Sequence, residues 1–484
     1  MKIKEFLFNN IGLKQTIVKN TFWLTLAEIV SKGLSLVLVI YIIRILGALE
    51  YGKFIFALSF VSVMSIFSDL GVMDIATREF SRNKDNEKKF ASIFTLEVIL
   101  CLLTLGITII SSFFITSNLQ IQKMMWTLTI FVLSNSLFGI IFSFLRARQN
   151  MEYEAIIKVI QSVVNTLIIF LVIFFIPSAQ NLSYGYLLST IIVLLVVMVI
   201  FSIYAQPIFL KWEKDVLKIL KMSWPLSFGF MAGWIYISIN SVILGYFGLI
   251  TENGWYGAAS KIAIATIIPA NLIIKSFYPI LSNFFVTSKD KLQKAWDYFI
   301  QSMVFLALPL IVGFVVLAPR IVYYLYGSDF TPSILALQLM IFIIGINLIN
   351  YPYTIMLVVA DKQKVNFLLI ILGGIVNIVL NFILIPRYGF YGSIIATIIA
   401  SVLVFLLVVF LSSYYKIIEV FNKKTFYSIV IASLASFLMY LVINYPLVYG
   451  LNIILVGFIG FAVYSIILFF IYKLIFRKKL LSLQ

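Results

Sequence analysis

Four cationic side chains lie inside or beside long apolar stretches of the sequence, where charge is rare. They are Lys32, Arg44, Lys261 and Lys275. An ionisable group at the centre of a bilayer costs roughly 2.5–3.5 kcal/mol on insertion scales, so it usually has a partner or a ligand. Ammonium and guanidinium groups bind phosphate oxygens through charge-assisted hydrogen bonds. The four cations therefore predict a binding site for an anionic, phosphate-bearing molecule.

Each cation also has a purely structural explanation. Lys32 follows Glu28 by four residues in "TFWLTLAEIVSKGLSLVLV", so the two side chains can neutralise each other on one helix and only fix its packing. The other cations can extend to the membrane surface or pair with a carboxylate on a neighbouring helix. Lys275 has no acidic neighbour in its own helix, which favours a ligand there.

Carboxylates and neutral polar residues share the apolar segments with these cations. A polar stripe is predicted on the first span by Thr21, Thr25, Glu28, Lys32 and Ser35, and another on the second span, 54–77, by Ser62, Ser65 and Asp69. Pro269, between Lys261 and Lys275, predicts a kink. The candidate ion-pair partners, or binding sites for a coupling proton or cation, are Glu28, Asp69, Asp74 and Glu97. The hydroxyl, amide and indole groups suited to sugars are those of Ser227, Trp234, Ser238, Asn240 and Asn271. Together with the cations, they predict a cleft for a cargo that is both anionic and rich in hydroxyl groups.

The elements that carry these residues must be membrane-spanning helices. Of the 484 residues, 62% are hydrophobic and 11% are charged, and the mean hydropathy is +1.09. About fourteen apolar runs have the ~20 residues that a helical span needs. They do not alternate apolar and polar residues as the strands of a membrane β-barrel do. The sequence therefore predicts an all-α polytopic membrane protein with about fourteen transmembrane helices.

The distribution of basic residues predicts the orientation. Most of the 36 Lys and Arg residues fall in the loops on the same side as the two termini. Basic loops stay in the cytoplasm, so we expect a multi-pass protein of the cell (cytoplasmic or inner) membrane with cytoplasmic N- and C-termini. The net charge of +17 is then explained by topology and by contact with anionic membrane lipids, and no nucleic-acid partner is expected.

The chain contains one cysteine and no histidine. These counts exclude an intrachain disulfide, a histidine-based catalytic triad and a zinc site of the usual kind. No Gly-rich phosphate loop ending in Gly-Lys-Ser/Thr is present either. We therefore expect no enzymatic activity, no cofactor and no bound metal.

Two pairs of similar segments indicate an internal duplication. "LGALEYGKFIFALSF" is echoed by "FGLITENGWYGAASKIAIA", and the segment around Asn165 is echoed by the segment around Asn377. We expect two six-helix lobes related by a pseudo-twofold axis along the membrane normal, with a central cleft. The predicted parts are the N-terminal lobe 1–210, a cytoplasmic amphipathic linker 211–221, the C-terminal lobe 222–414, and two additional transmembrane helices with a basic tail in 415–484.

Several segments in order resemble the polysaccharide biosynthesis proteins, the O-antigen flippases of the multidrug/oligosaccharidyl-lipid/polysaccharide (MOP) exporter superfamily. They include "NTFWLTLAEIVSKGLSLVLVIYIIRILGALEYGKF", "FSDLGVMDIATREFSR", "ILGYFGLITENGWYGAASKI" and "VNIVLNFILIPRYGFYGSIIATIIAS". The resemblance implies a transporter that moves undecaprenyl-pyrophosphate-linked oligosaccharide, a lipid-linked oligosaccharide, by alternating access for O-antigen, lipopolysaccharide, capsule or exopolysaccharide assembly. It implies that Lys32, Arg44, Lys261 and Lys275 meet the pyrophosphate, and that other glycan-assembly membrane proteins are candidate partners. Asn240 stands where relatives often have Asp, so the resemblance does not identify the coupling ion.

Other functions stay open at this point. A multidrug antiporter of the same superfamily would need acidic cleft residues for cationic drugs and normally has twelve spans, whereas a lipid II flippase has fourteen. A membrane-embedded glycan polymerase or ligase usually has a large external loop, and every predicted external loop here is short. A scaffold without transport activity is a further alternative.

Overall fold

A computed structural model describes residues 8, 10–82, 89–212, 216–419 and 423–480, with the side chains of 13, 216, 224–237 and 472–480 left out. Nearly all of the described residues are helical, and no strand occurs among them. The prediction of an all-α fold is confirmed.

The helices are numbered here in chain order. In unit 1, residues 1–254, they are α1 Leu13–Met64, α2 Ile66–Asp69, α3 Val72–Arg82, α4 Phe90–Ile115, α5 Leu119–Ala147, α6 Met151–Phe175, α7 Ala179–Tyr204, α8 Val216–Tyr246 and the start of α9 Ile250–Ala265. In unit 2, residues 255–484, they are the rest of α9, α10 Ile268–Thr287, α11 Lys289–Tyr326, α12 Ser333–Val359, α13 Gln363–Tyr414, α14 Lys423–Ile443, α15 Pro446–Tyr449 and α16 Ile453–Leu480.

Length and apolarity make most of these helices membrane spans. Within the described ranges, 10 helical segments are long and apolar enough to cross a bilayer, or up to 11 if the bent pair α9–α10 forms one span. Helices α1 and α13 have 52 residues each, more than twice the ~20 residues of one span. Both bend at a glycine with positive φ, Gly47 at 70° and Gly389 at 57°. The protein is therefore a multi-pass membrane protein, and the number of fourteen spans stays a prediction.

Unit 1 has an aromatic core at one end of its bundle. Phe90 of α4 packs against Phe80 of α3, Phe144 of α5 and Phe201 of α7, with ring centroids 5.1–6.1 Å apart. All four rings are buried. Edge-to-face and tilted ring pairs of this kind hold four helices together through one cluster of apolar contacts.

Helix α8 packs on α1, α3 and α4 within unit 1. Its residues are those predicted to start the C-terminal lobe after a linker helix. The predicted linker helix 211–221 is not a separate element in the described residues, because 205–212 are not helical and 216–221 are the first turns of α8. Lys218 and Lys221 therefore belong to the first turns of α8, and residues 213–215 of the predicted linker lie outside the described residues. The division into 1–210 and 222–414 as lobes stays a prediction.

The two additional C-terminal spans, α14 and α16, pack within unit 2. Leu317 of α11 joins Ala435, Met439 and Tyr464 in one buried apolar cluster. Polar contacts flank this cluster. Arg320 of α11 donates to the backbone carbonyl of Tyr449 and, at 2.6 Å, to that of Leu451. The hydroxyl of Tyr464 donates to a backbone carbonyl of α11 at 2.9 Å. The last two spans are therefore built onto α11.

Three glycines let helices α1, α8 and α9 approach one another closely in unit 1. A Cβ atom on Gly52 would overlap the backbone oxygen of Ile250, and one on Gly254 would overlap the backbone oxygen of Ala48. A Cβ atom on Gly245 would overlap the ring of the buried Phe56. The Gly52–Gly254 contact is reciprocal, since each helix supplies one glycine and one carbonyl. Small residues allow this spacing between membrane helices, where packing and not the hydrophobic effect drives association.

Candidate functional site

The first half of α1 presents the predicted polar stripe to its surroundings. The stripe comprises Thr21, Thr25, Glu28, Lys32 and Ser35, all of which are exposed. Lys32 donates to Glu28 at 2.5 Å, and both side chains are about half exposed, at 53% and 50%. The predicted ion pair within one helix is confirmed. Because its charges already neutralise each other, Lys32 has less positive charge to offer a phosphate.

Because the Glu28–Lys32 pair is exposed, replacing one of its members should change the stability of the protein little. Ion pairs at exposed sites contribute about 0–1 kcal/mol, so we expect Glu28→Gln to lower the free energy of unfolding in detergent by no more than about 1 kcal/mol. A thermal melt of the purified variant measures this. A large drop in the unfolding temperature would mean that Glu28 has a further buried partner.

Arg44 lies three residues before the bend of α1 at Gly47, and it is exposed. The bend separates it from the second half of the helix, where Glu50 and Lys53 pair at 2.6 Å. Arg44 stays a candidate for contact with an anion.

The predicted second span, which carries Asp69 and Asp74, is not one continuous helix. Helix α1 ends at Met64, and Leu70 and Gly71 adopt left-handed backbone conformations with φ of 45° and 76° before α3 begins. A carboxyl oxygen of Asp69 accepts the backbone N–H of Met73 at 3.0 Å, so this side chain caps the first turn of α3. The predicted stripe of Ser62, Ser65 and Asp69 therefore ends at the break, and Asp74 lies beyond it on an exposed face of α3.

Glu97 is the one candidate carboxylate with no exposed area, at 0%. It lies in α4, and its two carboxyl oxygens make no hydrogen bond of standard geometry in the described structure. The carboxylate of Asp69 is close enough to repel it, and the hydroxyl of Ser136 in α5 is within reach of a weak hydrogen bond. The structure therefore brings together two of the predicted carboxylates, Glu97 and Asp69, inside unit 1.

Only some of the polar candidates of α8 have described side chains. Ser227 and Trp234 are in α8, but their side chains are not described. Ser238 and Asn240 are buried, at 8% and 3% exposure. The hydroxyl of Ser241, the residue after Asn240, donates to the buried Asn253 of α9 at 2.6 Å, and the amide of Asn253 donates back to the Ser241 carbonyl at 3.1 Å. This end of α8 is thus a polar contact with α9.

Lys261, Asn271 and Lys275 lie on the bent helix pair α9–α10, and all three are exposed. The pair bends by 41° between Ala265 and Ile268, where Pro269 occupies the first turn of α10. The kink predicted at Pro269 is confirmed, because proline fits the first turn of a helix but not its interior. Within the described structure, neither lysine has a carboxylate within ion-pair distance.

The two similar segments around Asn165 and Asn377 make matching contacts, each within its own unit. In unit 1 the hydroxyl of Ser189 in α7 donates to the side chain of Asn165 in α6. In unit 2 the amide of Asn377 donates to the hydroxyl of Thr397 at 3.0 Å, and Asn381 donates back to Asn377. In each unit an asparagine therefore binds a hydroxyl of the following span, which an internal duplication predicts.

The family of the chain follows from a comparison of its sequence. A profile described as "Polysaccharide biosynthesis protein" matches residues 17–285, more than half of the 484 residues. The chain belongs to the polysaccharide biosynthesis protein family. The matched region runs from α1 into α10 and contains all four candidate cations. The resemblance found in the sequence is confirmed.

The relatives of this polysaccharide biosynthesis protein are flippases and transporters. It is 23% identical over 395 residues to "Probable flippase AglR" of Haloferax volcanii. This alignment covers 78% of the present chain and 79% of the relative. It superposes on lipid II flippase MurJ in the inward closed conformation with a TM-score of 0.74, at 15% identity over 94% of this chain and 100% of MurJ. It superposes on an inward-facing MATE family transporter of the MOP superfamily with a TM-score of 0.64, at 16% identity over 80% and 95% of the two chains. The protein therefore has the fold of the MOP exporters.

Sequence reasoning missed two ion-pair clusters in this family member. Lys19 of α1 pairs with Glu152 of α6 at 2.8 Å, and both side chains are buried. Glu154, also buried, accepts two hydrogen bonds from Arg146 at 2.7–2.8 Å and one from Lys158 at 2.6 Å. These basic residues had been interpreted only as topology signals in loops. The four-residue spacing of Glu154 and Lys158 is the signal that would have indicated the second cluster.

Proposed function

We propose that this protein is a flippase that moves undecaprenyl-pyrophosphate-linked oligosaccharide repeat units from the inner to the outer leaflet of the cytoplasmic membrane by alternating access. The product supplies a surface polysaccharide such as O-antigen, capsule or exopolysaccharide. Membership in the polysaccharide biosynthesis family and the fold shared with MOP transporters support this function. The comparison with flippases also favours transport over enzymatic catalysis.

The exposure of Lys261 and Lys275 is the observation that carries the proposal. Both stand on helices of the bent pair α9–α10, which is apolar enough to form a span, and neither has a carboxylate partner in the described residues. An unpaired ammonium at membrane depth is tolerated when water or an anion meets it. A pyrophosphate is an anion of suitable charge, and lysine binds phosphate as a mobile point charge.

The four cations differ in the role proposed for each. Lys275 and Lys261 are the principal pyrophosphate contacts, because no intramolecular carboxylate competes for them. Lys32 is paired with Glu28 and contributes a weaker attraction. Arg44 is the contact just before the bend of α1 at Gly47. The exposed amide of Asn271, one turn before Lys275, is placed on the same helix to hydrogen-bond the cargo.

Reconstituted transport tests the proposal. Proteoliposomes would contain a fluorescent short-sugar undecaprenyl pyrophosphate, and an external quencher would report how much of it reaches the accessible leaflet. We expect the unmodified protein to equilibrate the lipid between leaflets. A hydrogen bond to a charged group contributes about 1.5–3 kcal/mol, so we expect Lys275→Gln to slow transport about 10- to 100-fold.

Two controls separate charge from folding. Lys275→Arg keeps a cation and should retain most of the rate, whereas Lys289→Gln removes an exposed lysine at the start of α11 and should have no effect. Transport of a cationic dye against protons, without lipid movement, would replace the proposal with a multidrug antiporter. Movement of fluorescent lipid II alone would replace it with a lipid II flippase. Equal rates for Lys275→Gln and the unmodified protein would remove Lys275 from the site.

A further inference from the structure

Glu97 occupies a place where an ionised carboxylate is unfavourable. It has 0% exposure, neither of its oxygens makes a hydrogen bond of standard geometry in the described part of the chain, and the hydroxyl of Ser136 offers at most a weak one. Burying an unpaired, ionised carboxylate costs several kcal/mol or more, so such a group normally takes up a proton or binds a cation. Among the described residues, no group of three or more Asp, Glu, Cys or His side chains could hold a metal ion. A proton neutralises a buried carboxyl group without needing a shell of further oxygen ligands, so it is the simplest ligand for Glu97.

A broken helix faces this carboxyl group. The short α2 packs against α4, which carries Glu97, and against α5. It is bounded by Ser65 on one side and by the left-handed Leu70 and Gly71 on the other. A left-handed conformation costs a residue such as leucine roughly 1–2 kcal/mol, so the surrounding packing must maintain it. Discontinuous helices at membrane depth are the elements that secondary transporters use to bind coupling ions.

The break places a second carboxylate next to Glu97 in a different environment. Asp69 is only partly buried and accepts a backbone N–H at the first turn of α3, where the helix dipole stabilises negative charge. Ser136 acts on Glu97 from α5, and its hydroxyl shares a 2.9 Å hydrogen bond with Ser68 of α2. The titratable groups that act on this centre are Asp69 from α2, Asp74 from α3 through Asp69, and Cys101 on α4. Helix α8 also packs on α4, and its side chains 224–237 are outside the described residues.

We propose that Glu97 and Asp69 form a proton-binding site inside unit 1, in which the buried Glu97 carries the proton and the capping Asp69 carries the charge. Release of the proton to water leaves two carboxylates close enough to repel each other. Their repulsion favours a different arrangement of α2, so the Leu70–Gly71 break is the element that responds to proton binding. Use of this site to drive lipid movement rests on the proposed function, but proton binding itself does not.

Infrared spectroscopy of the purified protein tests the site without any lipid substrate. A titration from mildly acidic to alkaline pH should remove the C=O band of one protonated carboxylic acid. We expect that band to be absent in Glu97→Gln and unchanged in Glu419→Gln, which alters an exposed carboxylate by the same substitution. A band that persists in Glu97→Gln overturns the assignment.

The unmodified protein supplies a second measurement if Glu97→Gln does not fold. The chain has one cysteine, Cys101, which lies one turn after Glu97, is buried and is electrostatically coupled to it. Its S–H stretch should shift over the same pH range as the C=O band. An S–H band that stays constant while the C=O band disappears would show that another carboxyl group titrates, which overturns the proposal.

Transport with an imposed pH gradient then separates the two proposals. If the Glu97→Gln variant still equilibrates lipid but its transport rate no longer depends on the pH gradient, the proton site and the proposed function are both supported. An unmodified protein that shows the infrared titration but moves no lipid keeps the proton site and rejects the proposed function.

Discussion

Gly52→Ala is expected to lower the stability of unit 1 by about 3 kcal/mol or more, at the upper end of the range for overpacked sites. The added methyl group would overlap the backbone oxygen of Ile250, and a backbone atom cannot rotate away as a side chain can. Helices α1 and α9 must therefore move apart, which also costs the packing of Gly254 against Ala48. Unfolding of the purified protein by SDS titration in mixed micelles measures the change.

A glycine in open space is the matched control for this prediction. Gly106 lies within α4, and a Cβ atom there would meet nothing within 4 Å. Gly106→Ala should be neutral or slightly stabilising, because alanine is the better helix former by about 0.5–1 kcal/mol. The double variant Gly52→Ala/Gly254→Ala should cost less than the sum of the single variants, because the first substitution already separates the helices. Additive losses would show that the two glycines belong to independent contacts.

The second large effect is expected at Glu152. Glu152→Gln leaves the ammonium of Lys19 buried without a compensating negative charge, with only neutral oxygens such as the carbonyl of Gln149, 3.3 Å away, as acceptors. Removing one partner of a buried ion pair typically costs 3–5 kcal/mol, because the remaining charge is uncompensated. We expect the thermal unfolding temperature of Glu152→Gln in detergent to fall strongly, while that of Glu28→Gln changes little.

A double variant distinguishes an unpaired charge from a lost contact. Lys19→Met/Glu152→Leu replaces the whole pair by apolar side chains of similar size, which is often neutral or stabilising. We expect it to regain most of the stability that Glu152→Gln loses. If the double variant is as unstable as the single one, the pair stabilises the protein through its specific geometry and not merely by mutual neutralisation.

Features that depend on local spacing were predictable from the sequence. Long apolar runs predicted helices, since a backbone in lipid must satisfy its hydrogen bonds internally. The four-residue interval between Glu28 and Lys32 predicted their ion pair, and Pro269 predicted the bend between α9 and α10. Each of these depends on residues within one or two turns of each other, where the periodicity of the helix fixes the geometry.

Features that depend on tertiary packing were not predictable in the same way. Leucine favours helices, so nothing at Leu70 indicates that the helix breaks there, and only packing can impose its left-handed backbone. Lys19 and Glu152 are far apart in sequence, and their contact depends on how α1 meets α6. Glu97 was one of four equivalent carboxylates in the sequence, and its complete burial distinguishes it from Glu28 and Asp74.

The burial of side chains varies along helix α1. At its start, Lys19 and Asn20 are buried against the α5–α6 turn through Glu152 and Gln149, and after Leu38 the helix is again packed. Between these ends, in residues 21–37, only Ala27 is buried. Because few side chains of this segment are buried, we expect it to shift as an intact helix more readily than the packed parts of unit 1, with its backbone hydrogen bonds kept. The helix segment that displays the Glu28–Lys32 pair is thus expected to move without disturbing the core, and under the proposed function this movement would let it follow cargoes of different size.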